Sequence, residues 1–450
     1  MMEDNITNYT FDDSLEIQGL FGNTPNIQQL DDDKISGTLL IKNGVGELNI
    51  LGKIEKVDYT LPTSGVIINN ENLLRYSNEG YIYGFLENGN IIRLDKFYMK
   101  DYKTSFPGLE RASYDVEKIR SIIGKTDNFD FPSNYAYISI NSLVYWGFTN
   151  QFFPPHNLST VGPNVPVGSF DYKNLYFSLE ICPSRFHKTN ARNQNVITTY
   201  NSLTFKIIFP TTCSDEQLEA ISEEINKFII ILTHHASYIS KIQKDLKSEK
   251  LNISSSVISH HGDKSDIADY SSIREPLSYQ NIQSGFDFQK YLTNYLSKSF
   301  ELNVMINSFL MNINGNLVVE NSLLSYSNAI DIYYRNATYT TNNKLIKNFK
   351  DKLSRFIDEI PPKIRSLFFS STDKKDFFVK ATKTTRDFLV HGIHSESNFV
   401  LNDVRLTLLV INLDWLVYIT ILTKLGIDEA TILNVLKNYH IPVSENDILS

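Results

Sequence analysis

Apolar residues fall in short runs through the first half of the chain and at helical spacing through the second. The runs Ile35 to Ile41 and Val45 to Leu51 are separated by Asn43-Gly44. Asn-Gly between such runs signals a hairpin, because a tight turn wants positive φ at both central residues. The pattern returns at Tyr81 to Leu86, Asn88-Gly89 and Asn90 to Leu94, and a Gly-x-Leu step precedes each turn, at Gly37 and at Gly84. No period continues past these two copies, which predicts a meander or sandwich and not a solenoid. Further strands are expected at Tyr135 to Ile140, Val144 to Phe148, Leu175 to Ile181 and Ser202 to Phe209. The last two flank a polar loop holding Arg185, His187, Lys188 and Arg192, and a Pro- and Asn-bearing loop covers Gln151 to Pro166.

At Ser214 the period changes. Ser214 and Gln217 form a capping-box pair, and Leu218, Ile221, Ile225, Phe228, Ile229 and Leu232 follow at spacings of three and four. This predicts a long helix from Ser214 to about Leu246. Glu249 to Ser272 is polar and is expected to be a linker. Helices are then expected at Phe286 to Met311, Leu317 to Tyr339, Asn343 to Ile360, Asp376 to Val390, Asn402 to Leu425 and Asp428 to Tyr439, with Pro361-Pro362 ending one and Gly426 capping another. The expected fold is α+β and multidomain. Residues 1–248 form a mostly antiparallel β module closing with the long helix, 249–284 a polar linker, and 285–450 an all-α helical bundle.

Length and composition agree with this division. A chain of 450 residues has room for two or three domains, and 42% hydrophobic with 21% charged residues is globular. Two cysteines, Cys182 and Cys213, exclude a disulfide scaffold and a cysteine zinc site, and free thiols in a reducing compartment are expected. Met1 to Thr10 is polar and acidic, without an apolar leader, so a cytoplasmic protein is expected. The stretch Leu406 to Leu422 is the most membrane-like, but Asn412 and Asp414 interrupt it; a buried core helix is expected and no membrane partner.

Charge is unevenly placed. The net of −8 opposes general coating of nucleic acid. Yet residues 1–34 carry eight acids against one base, a net of −7, whereas 341–390 carry twelve bases against six acids, a net of +6. A solvated helix face explains such a run, and so does a phosphate-attracting surface, on which Lys380 and Lys383 would bind RNA.

The sharpest local feature lies at the end of that basic stretch, in Arg386-Asp387-Phe388-Leu389-Val390-His391-Gly392. Positions five apart on a continuous helix sit about 140° from each other. Gly392 is a natural left-handed stop, which lets His391 leave the helical path toward the arginine side. Asp387, four before His391, could orient the imidazole. These residue types suit RNA cleavage. A histidine can move the proton of a ribose 2′-hydroxyl or of the leaving 5′-oxygen, and an arginine can hold the phosphate as charge builds. No metal or other cofactor is needed for that chemistry. One histidine is few for both acid and base, so a symmetric homodimer is expected. A histidine at a helix C-terminus is also favoured by the dipole alone.

Other candidates are weaker. His234-His235 lies in an apolar helix and is read as packing or capping. His260-His261 lacks a third ligand at metal spacing, and His394 is expected to face solvent. The loop with Arg185, His187, Lys188 and Arg192 is read as a hydrophilic hairpin loop. The chain has neither a phosphate-binding Gly-rich loop nor a nucleophile elbow.

The second half resembles a HEPN domain, a helical family whose ribonuclease members carry Arg and His four to six residues apart with a polar residue after the arginine. Arg386, Asp387 and His391 fill those places. Ala329-Ile330-Asp331-Ile332-Tyr333-Tyr334-Arg335 resembles an Ala-Leu-Glu-Ala-Tyr-His-Arg-like segment in the HEPN domains of ApeA-type anti-phage proteins, with Asp331 where Glu is expected and Tyr334 where His is common. The two hairpins resemble the N-terminal domain paired with HEPN in that group. The resemblance implies a metal-independent endoribonuclease in bacterial defence by abortive infection, acting as a toxin on RNA (tRNA among the candidates) under a phage-derived trigger. Catalytic roles then go to Arg386, Asp387 and His391, and supporting roles to Asp331 and Arg335, which otherwise read as a surface ion pair on one helical face. The alternative is a non-catalytic phage-sensing, RNA-binding or dimerisation protein whose β module recognises a ligand.

Overall fold

The computed structural model describes residues 14–24, 34–42, 44–54, 80–104, 108, 110–123, 129–147, 161–190, 193–247, 252–259, 277, 287–315, 317–338, 344–392, 400–401 and 403–438. The chain divides into two compact units, one of strands and one of helices. The strand unit holds residues 1–170, 174–226 and 238–271, and the helical unit holds 171–173, 227–237 and 272–450.

The strands are β1 (Leu15–Gly22), β2 (Ile35–Lys42), β3 (Val45–Ile50), β4 (Ile82–Leu86), β5 (Ile91–Thr104), β6 (Glu110–Ile123), β7 (Ser133–Ile140), β8 (Val165–Tyr172), β9 (Leu175–Asn190), β10 (Asn193–Cys213), β11 (Ile239–Lys247) and β12 (Asn252–Ser259). They form one sheet in the order β3-β2-β1-β4-β5-β6-β12-β11-β7-β10-β9-β8, and β3 also pairs with β6. That extra pairing, Gly46 to Ile50 against Val116 to Ala112, closes the first six strands into an antiparallel barrel. Ile17, Phe21, Leu39, Leu48, Ile82, Leu94 and Tyr114 are among the residues filling it.

The Gly-x-Leu steps have a packing cause inside this barrel. A Cβ on Gly84 would lie 2.7 Å from the Phe21 ring and 2.8 Å from the Ile92 side chain. One on Gly37 would lie 2.7 Å from both the Asn49 carbonyl and Ile50. The glycines give Phe21 its place. The second expected hairpin forms, but its turn differs. Gly89 alone has positive φ, at 81°, its amide donates to the Leu86 carbonyl, and Leu86 donates to Asn90. This is a type I turn with glycine at the left-handed position, a three-residue hairpin loop. Two successive positive φ values occur instead at Lys173-Asn174, between β8 and β9.

Three expectations are corrected. Residues Leu143–Gly147 form a helical turn, α1, and not a strand; Leu143 and Trp146 are buried, and Trp146 packs near Phe205. The supposed polar loop is mostly strand: β9 and β10 pair through Arg185↔Asn201 to Lys188↔Thr198, and Arg185 Nε donates to Asn201 Oδ1 at 2.8 Å. The long helix α2 spans Asp215–Thr233 and not Ser214 to Leu246. Its capping box is present, with Gln217 N donating to Ser214 Oγ and Ser214 N to Gln217 Oε1. Beyond it come β11 and β12, so the stretch read as linker from Glu249 begins with a strand.

The reason lies in β11. Its inward positions are Ser240, Ile242 and Lys244, all buried, so alternation is present without an apolar signature. Lys244 is buried because it pairs with Asp215 in the first turn of α2 and donates to the Phe131 carbonyl at 3.0 Å. Arg120 joins the same carboxylate and reaches Asp95 at 3.1 Å, while Arg93 holds Asp95 and Asp130. Buried charges persist only when paired in this way.

The helical unit contains the end of α2 and, among the described residues, α3 (Phe288–Leu296), α4 (Phe300–Asn314), α5 (Val319–Tyr333), α6 (Phe349–Asp358), α7 (Pro362–Phe368), α8 (Thr372–His391), α9 (Asp403–Lys424) and α10 (Glu429–Asn438). The expected helix from Phe286 is two helices, because Ser299 starts α4 by accepting from Leu302 N. Helix α9 is long and apolar enough to cross a membrane by composition, and it is the core of this unit: Leu409, Leu413, Leu416, Tyr418 and Leu422 are fully buried. Its Asp414 receives the Tyr326 hydroxyl of α5 on one oxygen and His234 Nε2 on the other, at 3.1 Å. His234 follows α2 in a left-handed conformation (φ 54°) and lies parallel to Trp415 at 4.8 Å. His234 therefore both caps and packs, and His235 beside it is held to about 4 by burial.

Two outcomes test this packing. Gly84→Ala should destabilise the strand unit by about 1–3 kcal/mol through overpacking, and Phe21→Leu in the same chain should recover most of that loss in a double-mutant cycle. Tyr326→Phe should cost about 1–3 kcal/mol by leaving an Asp414 oxygen without its donor. Its melting transition, followed by tryptophan fluorescence, should fall.

Candidate functional site

Helix α8 carries the Arg386 to His391 segment. Ser371 starts it, accepting from Lys374 N, and Gly392 ends it with φ 65°, its amide donating to the Phe388 carbonyl at 2.8 Å. The left-handed stop is thus where the glycine implied it. Its effect on His391 is not. His391 is the last helical residue and does not leave the helical path, because the turn in direction comes one residue later. Arg386 and His391 therefore stay about 140° apart around one axis within a single chain. His391 is exposed and Arg386 half-buried.

Arg386 is held by two contacts. Its guanidinium carbon lies 4.6 Å from the ring centroid of Phe349, the first residue of α6. Its Nη1 is 3.5 Å from Asp387 Oδ1. Its Nε is buried with no hydrogen-bond partner. Asp387 Oδ2 meets Lys383 Nζ at 2.9 Å. Asp387 thus holds Arg386 and Lys383 in this structure and makes no hydrogen bond to His391. The backbone next to this site is fastened by Thr385, whose hydroxyl accepts from Leu401 N at 3.0 Å.

The second set of candidates is arranged differently from the expected ion pair. Helix α5 ends at Tyr333, so Arg335 lies in the turn beyond it, exposed, and forms no pair with Asp331. Asp331 instead meets Lys352 of α6 at 3.0 Å, and Lys352 also donates to the Asp331 carbonyl. Tyr334 is buried, and burial together with the nearby Glu359 carboxylate pushes its phenol well above the usual range. Its phenol therefore stays protonated near neutral pH.

Several cations of the basic stretch are paired, although Asp358 and Asp387 each serve two of them. Besides Lys352 and Lys383, Arg355 pairs with Glu359, and Arg365 and Lys375 share Asp358. Lys380 also has an interaction partner. Lys347 and Lys350, on either side of Asn348 and Phe349, are exposed and in no ion pair among the described residues. Sequence reasoning passed over them because only the fold brings Phe349 against Arg386.

Elsewhere, burial raises the free thiols Cys182 and Cys213 to about 11 each, which removes them as nucleophiles at neutral pH. Among the described residues, no three His, Cys, Asp or Glu side chains gather as a metal site. Arg192, His260, His261 and His394 lie outside the described residues, as do the side chains of His187 and Lys188.

Residues 324–431 match the HEPN class of helical domains, and within it the family described as Apea-like HEPN. The chain thus carries an Apea-like HEPN domain in its C-terminal region. The match runs from α5 into α10 and takes in Asp331, Arg335, Lys380, Lys383, Arg386, Asp387 and His391. No curated protein and no solved structure matches the chain.

Replacing Asp331 by Ala should leave the buried Lys352 ammonium with a carbonyl alone. The pair is half exposed on its acid side, so the expected loss is about 1–2 kcal/mol. Chemical denaturation of the variant beside Lys352→Met, which removes the stranded charge, checks this; Lys352→Met should cost less.

Proposed function

We propose that the protein is a HEPN-type endoribonuclease that cleaves RNA without a metal and serves bacterial defence against phage by abortive infection. The observation that carries this reading is the Arg386–Asp387–His391 segment at the end of α8, inside the matched domain. His391, exposed at the helix end, moves the proton of the 2′-hydroxyl or of the leaving 5′-oxygen. Arg386 holds the non-bridging phosphate oxygens as charge develops. Asp387 positions Arg386. The products carry 2′,3′-cyclic phosphate and 5′-hydroxyl ends. Lys380 and Lys383 add electrostatic attraction, and Asp331 and Arg335 support the site from α5 and the turn after it.

Because Arg386 and His391 diverge around one helix, a working site takes groups from two chains, and the active species is a homodimer through the helical bundle. The β module carries recognition of the trigger, and the protein acts in the cytoplasm. A second reading, a non-catalytic binding or sensing protein, draws on the same divergence and on the charge of Arg386 being already met by Asp387.

Incubation with total RNA in EDTA, with phage lysate as activator, separates the two. Wild type should cleave, and His391→Ala and Arg386→Ala should each lose cleavage by at least about a hundredfold with the fold intact by circular dichroism. Equal behaviour of wild type and both variants sinks the catalytic reading. A sensor would keep phage protection with His391→Ala; a nuclease would not.

A further inference from the structure

We infer that the RNA backbone is held along a cationic strip made by Lys347, Lys350 and Arg386. The inference rests on the RNA reading above and extends it to residues outside the α8 segment. Arg386 shares the Asp387 carboxylate with Lys383, and it also reaches the neighbouring helix α6. Its guanidinium lies on Phe349, 4.6 Å from the ring centroid, and Phe349 is 8% exposed. The ring fixes where the arginine charge sits. Lys350 follows Phe349 directly, and Lys347 stands two residues before it. Both are exposed, and neither is in an ion pair among the described residues.

The acid next to them is engaged: Asp351 accepts from Asn348 Nδ2 at 3.1 Å. On the α8 side the balance is opposite, because Lys383 meets Asp387 at 2.9 Å. A phosphate at Lys383 has to compete with a carboxylate, whereas one at Lys347 or Lys350 does not. A polyanion with phosphates at regular intervals meets all three cations, and each phosphate contact releases counterions. Lysines here act as point charges, so the strip carries affinity and no base selection.

The test uses the full chain carrying His391→Ala, so that RNA survives, and a short fluorescent single-stranded RNA of mixed sequence. Anisotropy titrations across a salt series compare this parent with K347Q/K350Q and K380Q/K383Q added to it. Loss of two contacts should weaken binding on the order of tenfold and make the log–log salt slope shallower by about 1.4. K380Q/K383Q should change both less. Unchanged affinity and slope in K347Q/K350Q, with binding by the parent, overturns the strip alone. No binding by the parent overturns the RNA reading and the strip together. Lysine-dependent binding with no cleavage by wild type keeps the strip and removes the catalysis. Lys347 and Lys350 are both exposed, and the fold of every variant is checked by circular dichroism, so misfolding is read separately.

Discussion

The helical unit depends on a carboxylate placed inside an apolar helix. Asp414 sits midway along α9, among side chains that are fully buried, and it is stable there because two donors converge on it. One donor is the Tyr326 phenol on α5 and the other the His234 imidazole at the end of α2. Each donor comes from a different element, so the carboxylate specifies which faces meet. Helices α5, α6 and α8 pack in sequence from that point, and the position of Arg386 against Phe349 follows from it.

The same residue shows why some of the fold was legible. Asp414 and Asn412 mark α9 as a core helix because a bilayer offers no partners for them. The hairpins were legible because glycine requirements are local: Gly44 and Gly89 need positive φ and nothing distant. The end of α2 was not. Ile239, Ile242 and Leu246 continue a helical spacing on paper, and only the pairing of Lys244 with Asp215, 29 residues away, shows that a charged residue faces inward on a strand. Sequence periodicity counts apolar residues and is blind to a face built from ion pairs.

Legibility of the candidate site divides along the same line. The helix, its glycine stop and the identities of Arg386, Asp387 and His391 were readable from seven consecutive residues. Which side each one presents was not. Asp387 was read as the partner of His391 from spacing alone, yet the fold gives it Lys383 and Arg386. Asp331 was read with Arg335, yet α5 stops too early and Lys352 takes its place. Spacing rules name neighbours on one helix, and these contacts were decided by a second helix or by where the first one ends.

Strand β6 belongs to two structures at once. Along one edge its residues Ala112 to Val116 pair with β3 and complete the barrel, and Lys118 to Ile123 pair with β12 and begin the open sheet. Neither part can be cut from the chain with its hydrogen bonding intact, since any excision leaves half an edge of β6 bare. Such a bare edge is a template for pairing with another chain, so fragments ending between barrel and sheet should aggregate.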